Sequence, residues 1–476
     1  MYKLVLLLLI APLCLAQQNP VIDVYNNINS FSGPRNITPN FELLRDEFNN
    51  KVAAAALTGA TEHELESLSI PDLQHRLLAL TQANLIENRS GKYFLTIPVI
   101  TGKRRTELAK LVTKQAQLML PKVAPMVEEI RKAVPGHEDV VFHLLWSRVI
   151  DDAWSIAWEL EKRGANGTPG VDWVILPRHA YMVGTNYWGN EIAITWSEHT
   201  GCGTRAVQDS RLLLRKAAWG QVVRDDRVAT VAKYGLLDTG GRFRGFAIHK
   251  GDAVDTLVQR LRAQYAHLIA NAYDTRELGS RWGVPADKLW VILLHETAYS
   301  LFGELANSGH LSIPGVLRGN GNLAECKSAI SLWLDKPVTR GDDVRDKFER
   351  TGYVGSQEVI QSATEVLASE PGNVDALYYL GLSQYEVKDY RAALSSFQRL
   401  LSICEVQDVR CLLGHLWMGH LLDLTNERQK AILEYEYVAG SSAEDAYLNY
   451  SGYHIGPTTI KSWAQERIKS PFRREE

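Results

Sequence analysis

The sequence predicts a mostly α, multidomain protein, and three observations carry that prediction. Long stretches space their apolar residues three and four apart, as amphipathic helices do. A block around residues 171–250 changes to strand-like text. Near the C-terminus a helix–turn–helix pattern recurs at a fixed offset. The chain has 476 residues, which at roughly 100–200 residues per domain suggests two to four domains. Hydrophobic residues make up 45% and charged residues 22%, a globular balance. The formal net charge of -3 argues against general nucleic-acid binding, which needs a net basic face. Twelve Trp and nineteen Tyr favour a firm core or a ligand groove.

Residues 1–16 read as a signal peptide: Lys3, an apolar run from Leu4 to Leu13 interrupted at Pro12, then Ala16 before two glutamines. The run is shorter than the ~20 residues a bilayer span takes. No second span follows it, so the mature chain is expected to be exported, to the periplasm or outside the cell. Leu13 stands where a lipoprotein signal would place a small residue before Cys14, so plain cleavage is expected. The mature chain keeps Cys202, Cys326, Cys404 and Cys411, which allow three pairings. Cys404–Cys411 and Cys202–Cys326 are the favoured ones. Asn36, Asn88, Asn166 and Asn449 begin glycosylation sequons, which count only in a host that uses them.

Residues 17–38, rich in Asn, Gln, Pro and Ser, read as a loose segment. Across 39–104, "NFELLRDEFNNKVAAAAL" predicts a first helix and "TEHELESL" a second, N-capped by Thr61. "IPDLQHRLLALTQANLIEN" predicts a third, with Leu73, Leu77 and Leu80 on one face. "NRSGKYFLTIPVI" predicts a hairpin turning at Ser90-Gly91, with Phe94 and Ile97 on its return strand. This order of elements resembles the winged helix-turn-helix fold. Reading DNA would need a basic recognition helix and wing. The helix offers His75 and Arg76; the wing offers Arg89 and Lys92, followed by Lys103, Arg104 and Arg105. That cluster is small, so the resemblance implies a structural or protein-docking use, and nucleic acid is not the expected partner.

Residues 105–163 predict a helical connector, with a kink or break at Pro121 and Pro125. "HEDVVFHLLWSRVIDDAWSIAWELEKRG" within it predicts one amphipathic helix carrying Leu144, Val149 and Trp158. Residues 164–345 predict an α+β domain with a helical second half. "VDWVILPRHAYMVG" and "NEIAITW" are strand-like, "DSRLLLRKAAWG" helical, and "RDDRVATVAKYGLLDTGGRFRGFAIH" hairpin-like at Gly240-Gly241.

Residues 346–476 carry the most specific motif. In "ALYYLGLSQYEVKDYRAALSSFQRLL", Leu380 and Gly381 lie on a first helix, Ala393 and Phe397 on a second. Gly419, Ala431 and Tyr435 repeat Gly381, Ala393 and Phe397 at an offset of 38, against about 34 in the tetratricopeptide repeat this pattern resembles. The extra residues fall in "CEVQDVRC", flanked by Cys404 and Cys411; Gln384 and Glu405 stand where that family usually has an aromatic and a proline. The resemblance implies a groove that docks a protein or peptide, and hence an exported binding or scaffolding role.

Three other candidates for chemistry arise. His295-Glu296 begins a zinc-protease motif, but Tyr299 stands where the second His is required, so a core pair is expected and no metal. Cys202 opens a predicted helix, and its surroundings weakly resemble transglutaminase-like folds. That resemblance implies Cys202 as nucleophile, His249 as base and Asp252 as its orienter, the alternative being a hydrolase or transferase. The glycine-rich "GRFRGF" and "GTNYWGN" lack the Lys of a phosphate-binding loop. No cofactor is expected.

Overall fold

The computed structural model describes residues 22–31, 40–161, 171–177, 183–188, 191–197, 199, 202, 204–405, 407–443 and 459–474. The predicted signal peptide and Asn36, Asn166 and Asn449 lie outside them. The described chain is mostly helical with three small sheets. It divides into two compact units that do not follow chain order. One holds residues 1–126, 152–182 and 261–311, the other 127–151, 183–260 and 312–476.

In the first unit, local chemistry sets the early elements. Asp46 adopts extended backbone and accepts the Phe48 and Asn49 amides, so the predicted first helix splits into a 3-10 turn at Phe41–Arg45 and an α-helix at Glu47–Ala56. Thr61 caps the helix Glu62–Glu66 in a full capping box with Glu64. The helix Leu73–Gln82 buries Leu73, Leu77 and Leu80 as its spacing predicts. The hairpin Ile86–Arg89 with Lys92–Leu95 turns at Ser90-Gly91, both left-handed (φ 53° and 82°), the geometry that matches strand twist. Ala60–Thr61 adds a third strand beside Lys92 and Tyr93. Phe94 lies on the return strand, whereas Ile97 lies beyond it, because Leu95 is the last residue the ladder pairs.

A second sheet takes in residues 28–31 of the segment read as loose. Ile28–Phe31 runs antiparallel to Val171–Ile175, which pairs in parallel with Val99–Ile100. The Asn50 side chain fixes the approach to that strand by accepting the Val24 and Tyr25 amides. Pro121 and Pro125 do not break their helix, which runs unbroken from Gly102 to Ala133. Four residues apart, they sit with Gln117 on one exposed side, where water can meet the carbonyls that the prolines leave without a helical partner. Ala116, Met119, Val123 and Val127 remain buried opposite.

In the second unit, the expected single helix around Leu144 is interrupted. Leu144–Asp151 takes a wider π-helical path after Val141–His143, and an α-helix resumes at Ala153–Leu160 only after the chain has passed into the first unit. A four-stranded sheet has the order Val183–Trp188, Ile192–Ser197, Ile330–Leu334, Phe246–His249, with the last pair parallel. The predicted hairpin at Gly240-Gly241 is reduced to a bridge between Leu237 and Phe243. Phe246–His249 finds its partner some 80 residues later because the turn ahead of it has no second strand to offer. Arg211–Ala218 is helical, and ion pairs Arg215–Asp342, Lys216–Asp343 and Arg227–Asp346 tie this region to the helix Arg340–Thr351.

Candidate functional site: the C-terminal helices

From Arg340 onward the second unit is a helical array. Helices Ser356–Ser369, Val374–Glu386, Tyr390–Leu401, Val409–Leu424, Arg428–Gly440 and Ile460–Lys469 each pack on their predecessor. Arg340–Thr351, Val374–Glu386, Val409–Leu424 and Ile460–Lys469 also pack one on the next, forming one row. Asn373, Asp389 and Asp408 cap three of these helices, accepting the amides of Ala376, Ala392 and Arg410. Lys388 and Asn426, 38 residues apart, take left-handed backbone (φ 65° and 62°) at the turns inside two hairpins.

The marker residues do the packing their spacing suggests. A Cβ on Gly381 would lie 2.7 Å from Phe397, and one on Gly419 would overlap the Tyr435 ring. Leu380, Ala393, Phe397, Ala431 and Tyr435 are all buried. The Cys404–Cys411 disulfide closes the turn between Tyr390–Leu401 and Val409–Leu424, with Cα atoms 5.7 Å apart.

The row Val374–Glu386 and Val409–Leu424 is buried on nearly every side. Arg410 ties the two helices together: Nε donates to Asp375 at 3.0 Å, Nη2 to the Tyr379 hydroxyl at 3.2 Å, and the guanidinium lies 4.6 Å over Tyr378. Further along, Asp423, whose side chain is fully buried, gathers three donors. Arg428 Nη1 lies at 3.0 Å, the Tyr435 hydroxyl at 2.9 Å and the Phe472 backbone N–H at 2.7 Å.

Residues 471–474 therefore sit on this row as an extended segment. The Phe472 ring stacks on the fully buried His420, centroids 4.0 Å apart and 14° from parallel. Two residues on, Arg474 donates from Nη1 to the Tyr385 carbonyl at 2.7 Å. Its Nη2 reaches the Glu386 carbonyl at 3.2 Å and Oε2 at 3.0 Å, and the guanidinium covers the Tyr385 ring at 4.6 Å. Arg428 Nη2 donates to the Arg467 and Ile468 carbonyls, closing the helix that precedes the segment. Burial pushes the Glu386 carboxyl up to about 7 against the pull of Arg474. Burial, and then Arg467, holds His420 well below the ordinary histidine value. Neither His420 nitrogen has a hydrogen-bond partner among the described residues. Sequence reading missed His420, Asp423, Phe472 and Arg474, since only the short "PFRR" near the end distinguishes that stretch and its partners lie about 50 and 90 residues away.

The remaining candidates do not assemble into a reactive site. Cys202 is buried and bonded to Cys326, with Cα atoms 5.5 Å apart, so its sulfur is not a thiolate nucleophile. Asp252 accepts the backbone amides of His249 and Asp255 at 3.0 and 2.7 Å, the task of a turn and helix start rather than of orienting a ring. The His249 ring packs edge-on against Trp219. His295 packs edge-on against Trp173 and Tyr299, and Glu296 is fully buried. Among the described residues no three His, Cys, Asp or Glu side chains gather to hold a metal, and no helix is long and apolar enough to cross a membrane. A second buried histidine, His143, bonds Thr195 and Ser331 at 2.7 Å each, and burial holds it down to about 3. With no carboxylate in that trio and no exposure, it joins the short helix Val141–His143 to the sheet.

In the first unit four of the seven basic residues named for the predicted recognition helix and wing have partners within the unit. Arg76 bonds Asp46 at 2.5 Å and Asn49 at 2.8 Å, and Arg89 pairs with Glu87. Arg104 and Arg105 donate to the Val99 and Pro177 carbonyls. No protein-family model matches this chain, and no curated protein or solved structure shows significant similarity to it.

Proposed function

We propose that this chain is an exported binding or scaffolding protein that docks a protein or peptide partner on C-terminal helical repeats of the tetratricopeptide kind. One observation carries the reading: the row Val374–Glu386 and Val409–Leu424 already holds an extended segment through both main-chain and side-chain contacts. Export is supported by the leader text of Met1–Ala16 and by two disulfides, which persist in oxidising compartments. A winged-helix-like use of residues 39–104 as a docking or structural part, not a DNA reader, is supported by the internal pairing of Arg76 and Arg89. The disulfide at Cys202 weighs against a hydrolase or transferase built on that sulfur.

The test is capture by chemical cross-linking from the extracytoplasmic fraction of the source cells, comparing the full chain with Asp423→Asn. The reading predicts a defined partner recovered with the first and depleted at least about tenfold with the second, a loss of a charge-assisted contact. Equal recovery of the same proteins by both, or tight salt-sensitive binding of duplex DNA instead, would overturn it.

A further inference from the structure

We propose that residues 470–474, Ser-Pro-Phe-Arg-Arg, are a displaceable internal ligand, and that the row beneath them reads extended segments carrying an aromatic residue and, two positions on, an arginine. This rests on the docking reading above and names the chemistry of the partner: a basic, extended peptide that competes with residues 470–474.

The seat is built for an extended chain rather than for a helix. Asp423 takes a backbone amide, a contact that any non-proline residue can make. Pro471, one position earlier, cannot supply that amide and holds its own φ near the extended range. The aromatic position is selected by His420, whose ring lies flat against Phe472 within an aromatic wall of Trp417 and Trp463. A planar side chain fills that slot without the rotamer loss of a long aliphatic one. The arginine position is selected by geometry: two backbone carbonyls, one carboxylate and one aromatic face converge on a single guanidinium. A lysine ammonium offers no planar fork for the same set. The spacing of two puts both side chains on the same side of an extended backbone, toward the row. Pro471 and Arg473 between and before them are exposed.

The segment is held, but by few residues. Phe472 and Arg474 are each only partly buried, and residues 471–474 belong to no helix or strand. Its strength comes from tethering, since a short tether gives an effective concentration of the order of millimolar. A partner must outcompete that, so its apparent affinity falls by the fraction of molecules in which the seat is open. Loss of the tail contacts should raise that fraction and so raise affinity for a free peptide, the opposite of what a purely structural segment would do.

The experiment uses the full chain and a fluorescent Ser-Pro-Phe-Arg-Arg peptide in polarisation titrations. The double variant Phe472→Ala with Arg474→Ala should bind the peptide about tenfold or more tightly than the wild type. A peptide with its Phe and second Arg replaced by Ala should bind neither. Adding Asp423→Asn to the double variant should remove binding. Arg474→Glu alone removes one of the two anchors, so it should raise peptide affinity by a smaller factor than the double variant, with less risk to the fold, and far-UV circular dichroism follows each variant. Equal peptide binding by wild type and both tail variants, or no binding by any, overturns the inference. So does a captured partner that the peptide fails to displace, and that outcome leaves the docking role standing. Peptide binding as expected with no partner ever captured would refute the docking role and not the seat.

Discussion

Gly419 offers the sharpest test of how the array is packed. Alanine in its place should stabilise the helix Val409–Leu424 by about 1 kcal/mol on propensity alone. Here its Cβ would overlap the Tyr435 ring, and that ring cannot retreat. Tyr435 is fully buried, and its hydroxyl donates to Asp423 at 2.9 Å. Moving the ring costs overpacking strain of about 1–3 kcal/mol. It also weakens a hydrogen bond to a charged group, worth about 1.5–3 kcal/mol. The net expectation for Gly419→Ala is a loss of about 2–4 kcal/mol, opposite in sign to propensity. With Tyr435→Leu in place the obstruction is gone, and the same alanine should be neutral or stabilising by up to about 1 kcal/mol. Urea unfolding of the four proteins of this cycle, followed by circular dichroism, gives the coupling energy, which should exceed about 2 kcal/mol. A coupling under about 0.5 kcal/mol would refute the claim that glycine is there to seat the ring.

Acid should destabilise the second unit through its buried histidines. His143 and His420 stay neutral when folded, being held down to about 3 and well below 6.5, while unfolded histidines take up protons below about 6.5. The unfolded state then binds more protons, so stability falls with pH by about 1.4 kcal/mol per unit per histidine between about 6.5 and 4.5. Glu386 opposes one of them: pushed up to about 7, it is protonated when folded and ionised when unfolded over much of that window. Urea midpoints at three pH values should therefore fall more steeply in Glu386→Gln than in wild type, and parallel or flat lines would contradict the assignment. Thiol titration in denaturant without reductant should find no free thiol in a chain processed after Ala16, and one, Cys14, in a chain that keeps its leader; any further thiol would contradict a bridge. Replacing Cys404 and Cys411 by serine should cost about 2–3 kcal/mol, and opening Cys202–Cys326, with its separation of 124, about 5 kcal/mol on the same loop relation, both read as shifts in urea midpoint. Thr61→Ala should cost about 1 kcal/mol in the first unit by the same assay.

Features decided within a few residues were legible in the sequence. The Thr61–Glu64 capping box, the Ser90-Gly91 turn and the Leu73, Leu77 and Leu80 stripe each depend on neighbours, and the structure places each as its chemistry dictates. The Gly381–Phe397 and Gly419–Tyr435 pairs were legible too, because a repeated spacing of sixteen residues marks them. What depends on distant partners was not. Nothing near Phe246–His249 announces that it pairs with Ile330–Leu334, nor near Ile28 that it pairs with Val174. Pro121 and Pro125 mislead for another reason: their cost depends on whether the freed carbonyls are wet, and exposure is a tertiary property. The seat of Phe472 combines both difficulties. Its ring partner His420 looks like an ordinary histidine in an apolar helix until Phe472 is laid on it.

The order of the sheet in the second unit sets a schedule for folding. Ile192–Ser197 and Phe246–His249 both pair with Ile330–Leu334, the last of the four strands to be synthesised. Cys202 must likewise wait for Cys326. A chain emerging N-terminus first therefore carries two unjoined strand edges and an unpaired thiol until residue 334 has appeared, and such edges invite pairing with other chains. The single late strand supplies both missing ladders, and the 3-10 turn just before it delivers the missing sulfur. A chain that stops short of this strand therefore lacks both of those ladders and the Cys326 sulfur that Cys202 bonds.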